Sequence, residues 1–179
     1  MDDQSDRYWG CYMKMYTKTV LVSLLLGVAA PALAQASATT TASSTTTILS
    51  PISLTKVLDL QFGKVVRPSA ATPQTVIVSS AGARSLGGTG DAVLMGTTAS
   101  QAQFTVGGEG GAAITVTVPA TFAMGPLTVT TSGTYPTAIG GAAGSPGTAT
   151  VNVGGAFPIT NTTATGSFTG TLSVTAAYN

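Results

Sequence analysis

From Ile48 onward, apolar and polar residues alternate along the chain with a period of two. Leu58, Leu60 and Phe62 alternate with Asp59, Gln61 and Gly63. Ala102, Phe104 and Val106 alternate with Gln103 and Thr105, and Ile114, Val116 and Val118 with Thr115 and Thr117. Shorter pieces surround Val76 and Val78, Leu127 and Val129, and Val151 and Val153. The last run is the clearest. Phe168, Leu172, Val174, Ala176 and Tyr178 share one parity, and Thr169, Thr171, Ser173, Thr175 and Ala177 the other. Successive side chains of an extended chain point to opposite faces, so this pattern predicts half-buried strands with one wet, Thr-rich face. Turn signals separate the runs at Ser80 to Gly90, Gly107 to Gly111, Gly140 to Gly147, Gly154-Gly155 and Gly166. No stretch follows a 3.6-residue period, and no internal repeat is visible. The expected fold is all-β, an antiparallel immunoglobulin-like sandwich over residues 51–179.

The N-terminal part follows a different rule. Lys14 and Lys18 precede an apolar run from Val20 to Ala30, and Pro31, Ala32-Leu33-Ala34 and Gln35 come next. Charged, apolar and small residues in that order predict a signal peptide over residues 1–34, cleaved between Ala34 and Gln35. Residues 1–12, with Trp9 and Cys11, read as an over-extended start, because Met13 or Met15 would each open an ordinary leader. The apolar run of about 11 residues falls short of the roughly 20 that span a bilayer as a helix. No transmembrane helix is therefore expected in the mature protein. Residues 35–50 are nearly all Ala, Ser and Thr up to Thr47. They read as a linker, or as a strand donated to a neighbour, with Ile48 as its anchor.

Composition removes most chemistry from this picture. The chain has 179 residues, no His and one Cys, which lies in the leader. Beyond Gln35 the acids are Asp59, Asp91 and Glu109, and the bases are Lys56, Lys64, Arg67 and Arg84. That near-neutral balance gives no basis for capture of nucleic acid. Zinc and copper lack their usual ligands, and no disulfide can form within the mature domain. Ser53-Leu54-Thr55-Lys56 has the Ser-x-x-Lys spacing of penicillin-recognising enzymes. A strand puts residues three apart on opposite faces, and the companion elements are absent. Gly108 to Ala113 is followed by a strand pattern, not by the helix a dinucleotide site needs. The scattered acids lack the spacing of a calcium loop. Asn161-Thr162-Thr163 is a glycosylation acceptor pattern that a Thr-rich chain contains by chance. Without Trp beyond the leader, and with Phe62, Phe104 and Phe168 on apolar faces, sugar stacking has no obvious platform. The expectation is no enzyme, no metal and no cofactor.

Several short motifs carry a resemblance. They are Leu58-Asp59-Leu60-Gln61-Phe62-Gly63, Phe104 to Gly108, Val151-Asn152-Val153-Gly154-Gly155, and Gly166 to Val174 with Tyr178-Asn179 at the end. Their order resembles the bacterial secreted family DUF4402, over residue 50 to the end. That resemblance marks Asp59, Phe62, Gly63, Phe104, Gly154, Gly155, Gly166, Phe168, Leu172, Val174 and Tyr178 as structural or assembly positions. The last strand also resembles that of chaperone–usher pilin subunits, with Tyr178 penultimate and Gly166 fourteenth from the end. This second resemblance implies a fimbria-like subunit at the surface of a Gram-negative cell. It implies strand addition between copies, and a periplasmic chaperone and usher as partners. The subunit disulfide of such pilins is missing, and the leader has few large apolar residues to donate. The alternatives are a monomeric surface adhesin or ligand-binding sandwich, and a small outer-membrane barrel. Against the barrel stand the short strands and the lack of aromatic girdles.

Cleavage after Ala34 has a direct test. Mass spectrometry of the cell-envelope fraction should find Gln35 at the N-terminus. Recovery of intact residues 1–34 on the envelope protein would refute the leader.

Overall fold

The computed structural model describes residues 37–179. The leader, with Ala34 and Gln35, lies outside the described residues. The chain divides into a segment ending at Thr45 and a compact unit, Thr46–Asn179. Residues 37–45 are exposed and have no regular secondary structure.

The compact unit is all-β, and every strand pair in it is antiparallel. In chain order the strands are β1 (Ser53–Leu58), β2 (Lys64–Val66), β3 (Gln74–Val78), β4 (Arg84–Gly87) and β5 (Val93–Met95). Then come β6 (Ala102–Glu109), β7 (Ile114–Thr117), β8 (Thr121–Met124), β9 (Leu127–Ser132), β10 (Pro146–Ile159) and β11 (Thr175–Tyr178). One curled sheet runs β1-β6-β10-β3-β4, with β9 joined to β10 and β8 to β9. Two small ribbons, β7–β11 and β2–β5, complete the unit.

The alternation of the sequence becomes burial. Val76 and Val78 on β3, and Ala102, Phe104 and Val106 on β6, point inward. Two apolar clusters result. Phe62, Val76, Val78, Val129, Phe157 and Ile159 form one, with the Phe62 and Phe157 rings edge to face at 4.8 Å. Phe104, Val106, Ile114, Ile139, Val151 and Val153 form the other. Leu60 packs against both.

β10 is the strand that serves both clusters. Pro146 to Val153 pairs with β6, and Gly155 to Ile159 pairs with β3. β9 pairs with Gly154 to Ala156 on the side opposite β3. Gly154-Gly155, expected as a turn, thus lies inside the longest strand. The glycines are there for packing. A Cβ on Gly155 would stand 2.9 Å from Val129 Cγ1 and 3.0 Å from both Leu60 Cδ2 and Phe62 Cζ.

Three further expectations need correction. β6 continues through Gly107 and Gly108 to Glu109, where a turn was expected, because its ladder with β10 runs that far. The turn follows at Gly110-Gly111, closed by Ala112 N donating to Glu109 O. The stretch Ser80 to Gly90 contains β4, paired with β3. The final run is a hydrogen-bonded strand only over Thr175–Tyr178. From Phe168 to Val174 the parity of burial persists, but the backbone has no ladder partner apart from the Gly170–Met124 bridge.

Overpacking a filled core costs about 1–3 kcal/mol. Gly155→Ala should therefore lower the midpoint of urea unfolding, while Thr150→Ala, exposed on the same strand, should leave it nearly unchanged. Equal, small shifts would show that the contact at Gly155 is not tight.

Candidate functional site

The unpaired stretch before β11 leaves a feature that a closed sandwich would not have. An open groove of about 1240 Å³ is lined by the end of β1, by β2 and by residues 163–172. Leu60, Phe104, Phe122, Met124, Phe157 and Leu172 supply apolar surface to it. β1 hydrogen-bonds only to β6, so its other side carries unmade backbone bonds. All six of its residues are exposed, and Leu58 is 42% exposed.

Charge collects at this groove. Lys56, Asp59, Lys64 and Arg67 all line it. Lys56 Nζ pairs with Asp59 at 2.7 Å. Lys64 and Arg67 have no acidic partner among the described residues. Arg67 instead donates to the carbonyl of Thr163 at 2.9 Å, tying β2 to the stretch that borders the groove.

Arg84, half-buried on β4, clamps the β2–β5 ribbon. Its guanidinium donates to the carbonyls of Phe62 at 2.9 Å, Lys64 at 3.4 Å and Met95 at 3.3 Å, and also to that of Gly96. The Phe62-Gly63 bend it holds has φ of +69° at Gly63. A side chain at Gly63 would run into the Arg84 guanidinium and the Thr98 carbonyl, so glycine is required twice over.

A second polar centre joins four distant pieces of chain. The carboxylate of Glu109, 7% exposed, accepts from Ser50 N at 3.3 Å, from Ser50 Oγ at 3.2 Å and from Gly144 N. The Tyr178 hydroxyl accepts from Glu109 N at 2.7 Å and donates to Ser50 O at 2.7 Å. Gly108 makes room for that hydroxyl, since a Cβ there would overlap it. The amide of Gly144 and then that of Ser50 hold the Glu109 carboxyl below its usual range, with the Ser50 hydroxyl adding to them. Burial opposes all three.

The residues singled out from sequence divide into groups. Asp59, Phe62, Gly63, Phe104, Gly166, Phe168 and Leu172 all line the groove. Phe62 and Phe104 are buried, whereas Phe168 and Leu172 are half-buried. Val174 and Tyr178 pack on the second cluster. Gly154 and Gly155 lie within β10. Ile48 is 88% exposed and does not line the groove. Ser53 and Lys56 share β1, where Ser53 Oγ lies 3.5 Å from Gly107 O and Lys56 reaches Asp59. Glu109, Ser50 and Arg84 were missed. The available signal was their chemistry: a lone acid among glycines and a lone arginine between strands, in a chain with few charges. No group of three metal-ligating side chains comes together among the described residues. No helix among them is long and apolar enough to cross a membrane.

Loss of the Tyr178 hydroxyl removes two hydrogen bonds, each worth about 1 kcal/mol net. Tyr178→Phe should lower stability by about 1–2 kcal/mol in urea unfolding. The depressed pKa of Glu109 means that its contribution is present above the ordinary carboxylate range. That contribution is lost as pH falls through the folded-state value. Exposed Asp91, held low chiefly by the Ser69 hydroxyl, acts in the same direction. Glu109→Gln should therefore unfold at lower urea than the parent at neutral pH, with the gap closing in acid. A gap independent of pH would show that the carboxylate charge plays no part.

The family model described as "Domain of unknown function (DUF4402)" matches residues 52–178. The chain belongs to this family. It matches no curated protein and no solved structure.

Proposed function

We propose, with membership of the DUF4402 family as the premise, that this is an exported structural protein without bond-making activity. It works at the cell surface by joining further copies of itself, in the manner of a fimbrial subunit. The compact unit serves as an immunoglobulin-like sandwich, and residues 35–50 as a strand donated to the next copy. The supporting observation is the open outer edges of the sheet. β1 and β4 are each hydrogen-bonded on one side only. β1 also exposes Leu54, Val57 and Leu58. An open edge is a template on which backbone hydrogen bonds drive addition with little help from side chains. The proposed donor is free of charge. Within it, Ala38 to Leu49 are exposed and without regular secondary structure. Such contacts are head-to-tail and grow into filaments instead of closed dimers. A chaperone that covers the open edge before assembly fits the same reading.

Deletion of residues 35–49, which keeps Ser50 and its bonds to Glu109 and Tyr178, provides the test. The intact exported protein should form a ladder of large species on unboiled gels, and the deleted form should run as one small species while keeping its circular dichroism. If the intact protein stays monomeric at every concentration, assembly by strand addition fails.

A further inference from the structure

Two exposed segments, remote in sequence, are fastened to one carboxylate. Residues 38–49 are exposed and without regular secondary structure, Ser50 is half-buried, and β1 begins at Ser53. The loop of residues 140–146 is exposed as well. Glu109, buried at the end of β6, holds both. Its Oε2 accepts from Ser50 N at 3.3 Å and from Ser50 Oγ at 3.2 Å, and its Oε1 accepts from Gly144 N. Each of these partners turns a hydrogen toward the carboxylate. The elements around it bring no opposing charge. Residues 37–52, the loop, β7, β10 and the rest of β6 carry no titratable side chain, and β11 contributes Tyr178. Lys56, Asp59, Lys64 and Arg67 line the groove, which Glu109 does not. Arg84 clamps the β2–β5 ribbon, and Asp91 is held by Ser69.

We infer that Glu109 is an acid-operated latch, which fastens the N-terminal segment at Ser50 and the loop at Gly144 and releases both on protonation while the sheet stays folded. A protonated carboxyl carries a hydrogen of its own, so one of its oxygens becomes a donor. That hydrogen faces groups that are themselves donating. The Ser50 hydroxyl can rotate to accept it, but a backbone amide only donates, so an amide loses its acceptor. Of the bonds to Ser50, only that from the Tyr178 hydroxyl to the Ser50 carbonyl is independent of the carboxylate. Release stops where other contacts take over. Ile52 packs against the second cluster, Ser53 pairs with Gly107, and Pro146 pairs with Glu109. The amides of Gly144 and Ser50 hold the Glu109 carboxyl below its usual range, so the latch is closed at neutral pH. It opens as pH falls through that lowered value. The latch works within one chain, so it operates whether or not the segment is donated to another copy.

The test is an NMR titration of the purified exported protein from neutral pH into acid, following backbone amides. The amide protons of Ser50 and Gly144 should move upfield together, with one shared midpoint below the usual carboxylate range. In the same step the heteronuclear NOE of Ser50 should fall to the values of residues 38–49, while the amides of β3 and β10 keep their dispersion. Glu109→Gln replaces one accepting oxygen by a donating amide and so imitates the protonated state at neutral pH. In it the Ser50 and Gly144 amides should exchange at least about tenfold faster, the equivalent of one hydrogen bond to a charged group. Their titration should vanish, whereas Asp91→Asn should leave it unchanged. The titration of the parent protein decides the matter even if Glu109→Gln does not fold. A Ser50 NOE that stays constant through the titration overturns the latch. Separate midpoints for Ser50 and Gly144 overturn the shared fastening. Loss of dispersion in β10 at the same pH also overturns it, and makes Glu109 a group on which the whole unit depends.

Discussion

The structure depends on one strand being able to belong to two places. β10 completes one apolar cluster through Val151 and Val153 and the other through Phe157 and Ile159. A strand of that length needs new neighbours where its old ones end. Here β6 ends its pairing at Val153, and β9 and β3 take over from Gly154 onward. The changeover brings Leu60, Phe62 and Val129 against the backbone of Gly155. Any side chain there would crowd Val129, Phe62 and Leu60 in the first cluster. The glycine pair is thus what lets a single curled sheet hold both clusters without a disulfide between them.

Polar groups then fix what apolar burial alone leaves loose. The hydrophobic effect is non-directional, so it does not determine where the two ends of the compact unit settle. The Glu109 centre does. One carboxylate and one phenol tie the entry to β1, the end of β6, the loop at Gly144 and the last strand. Arg84 has the corresponding role at the other cluster, where it gathers carbonyls from the Phe62-Gly63 bend and from β5 with its following residue. In a chain with so few charges, these side chains are used as backbone glue, and none of the described buried side-chain polar atoms lacks a partner.

Much of this was legible in the sequence, for a simple reason. Period-two alternation reports burial directly, and it did so even where no ladder forms: Phe168, Leu172 and Val174 keep the expected parity without being strand. What alternation does not report is pairing. It could not separate the hydrogen-bonded end, Thr175 to Tyr178, from the unpaired stretch before it. Glycine was the other source of error. Gly107, Gly108, Gly154 and Gly155 were read as freedom to turn, but they serve close approach inside strands. Glu109 and Arg84 were missed because each acts on partners more than ten residues away, a relation that local pattern does not contain.

The groove follows from these same constraints. β1 is held to β6 along one side, and β11 is held to β7 in a separate ribbon. The chain between β10 and β11 must cross from one cluster to the other while its last residues stay fixed at Tyr178. It makes that crossing beside β1 without pairing to it, and the unfilled space between elements is the groove. Seven of the sequence-marked positions converge there, although they were chosen for their motifs and not for any shared location. Structural economy accounts for Arg84, Glu109 and Asp91, each spent on backbone.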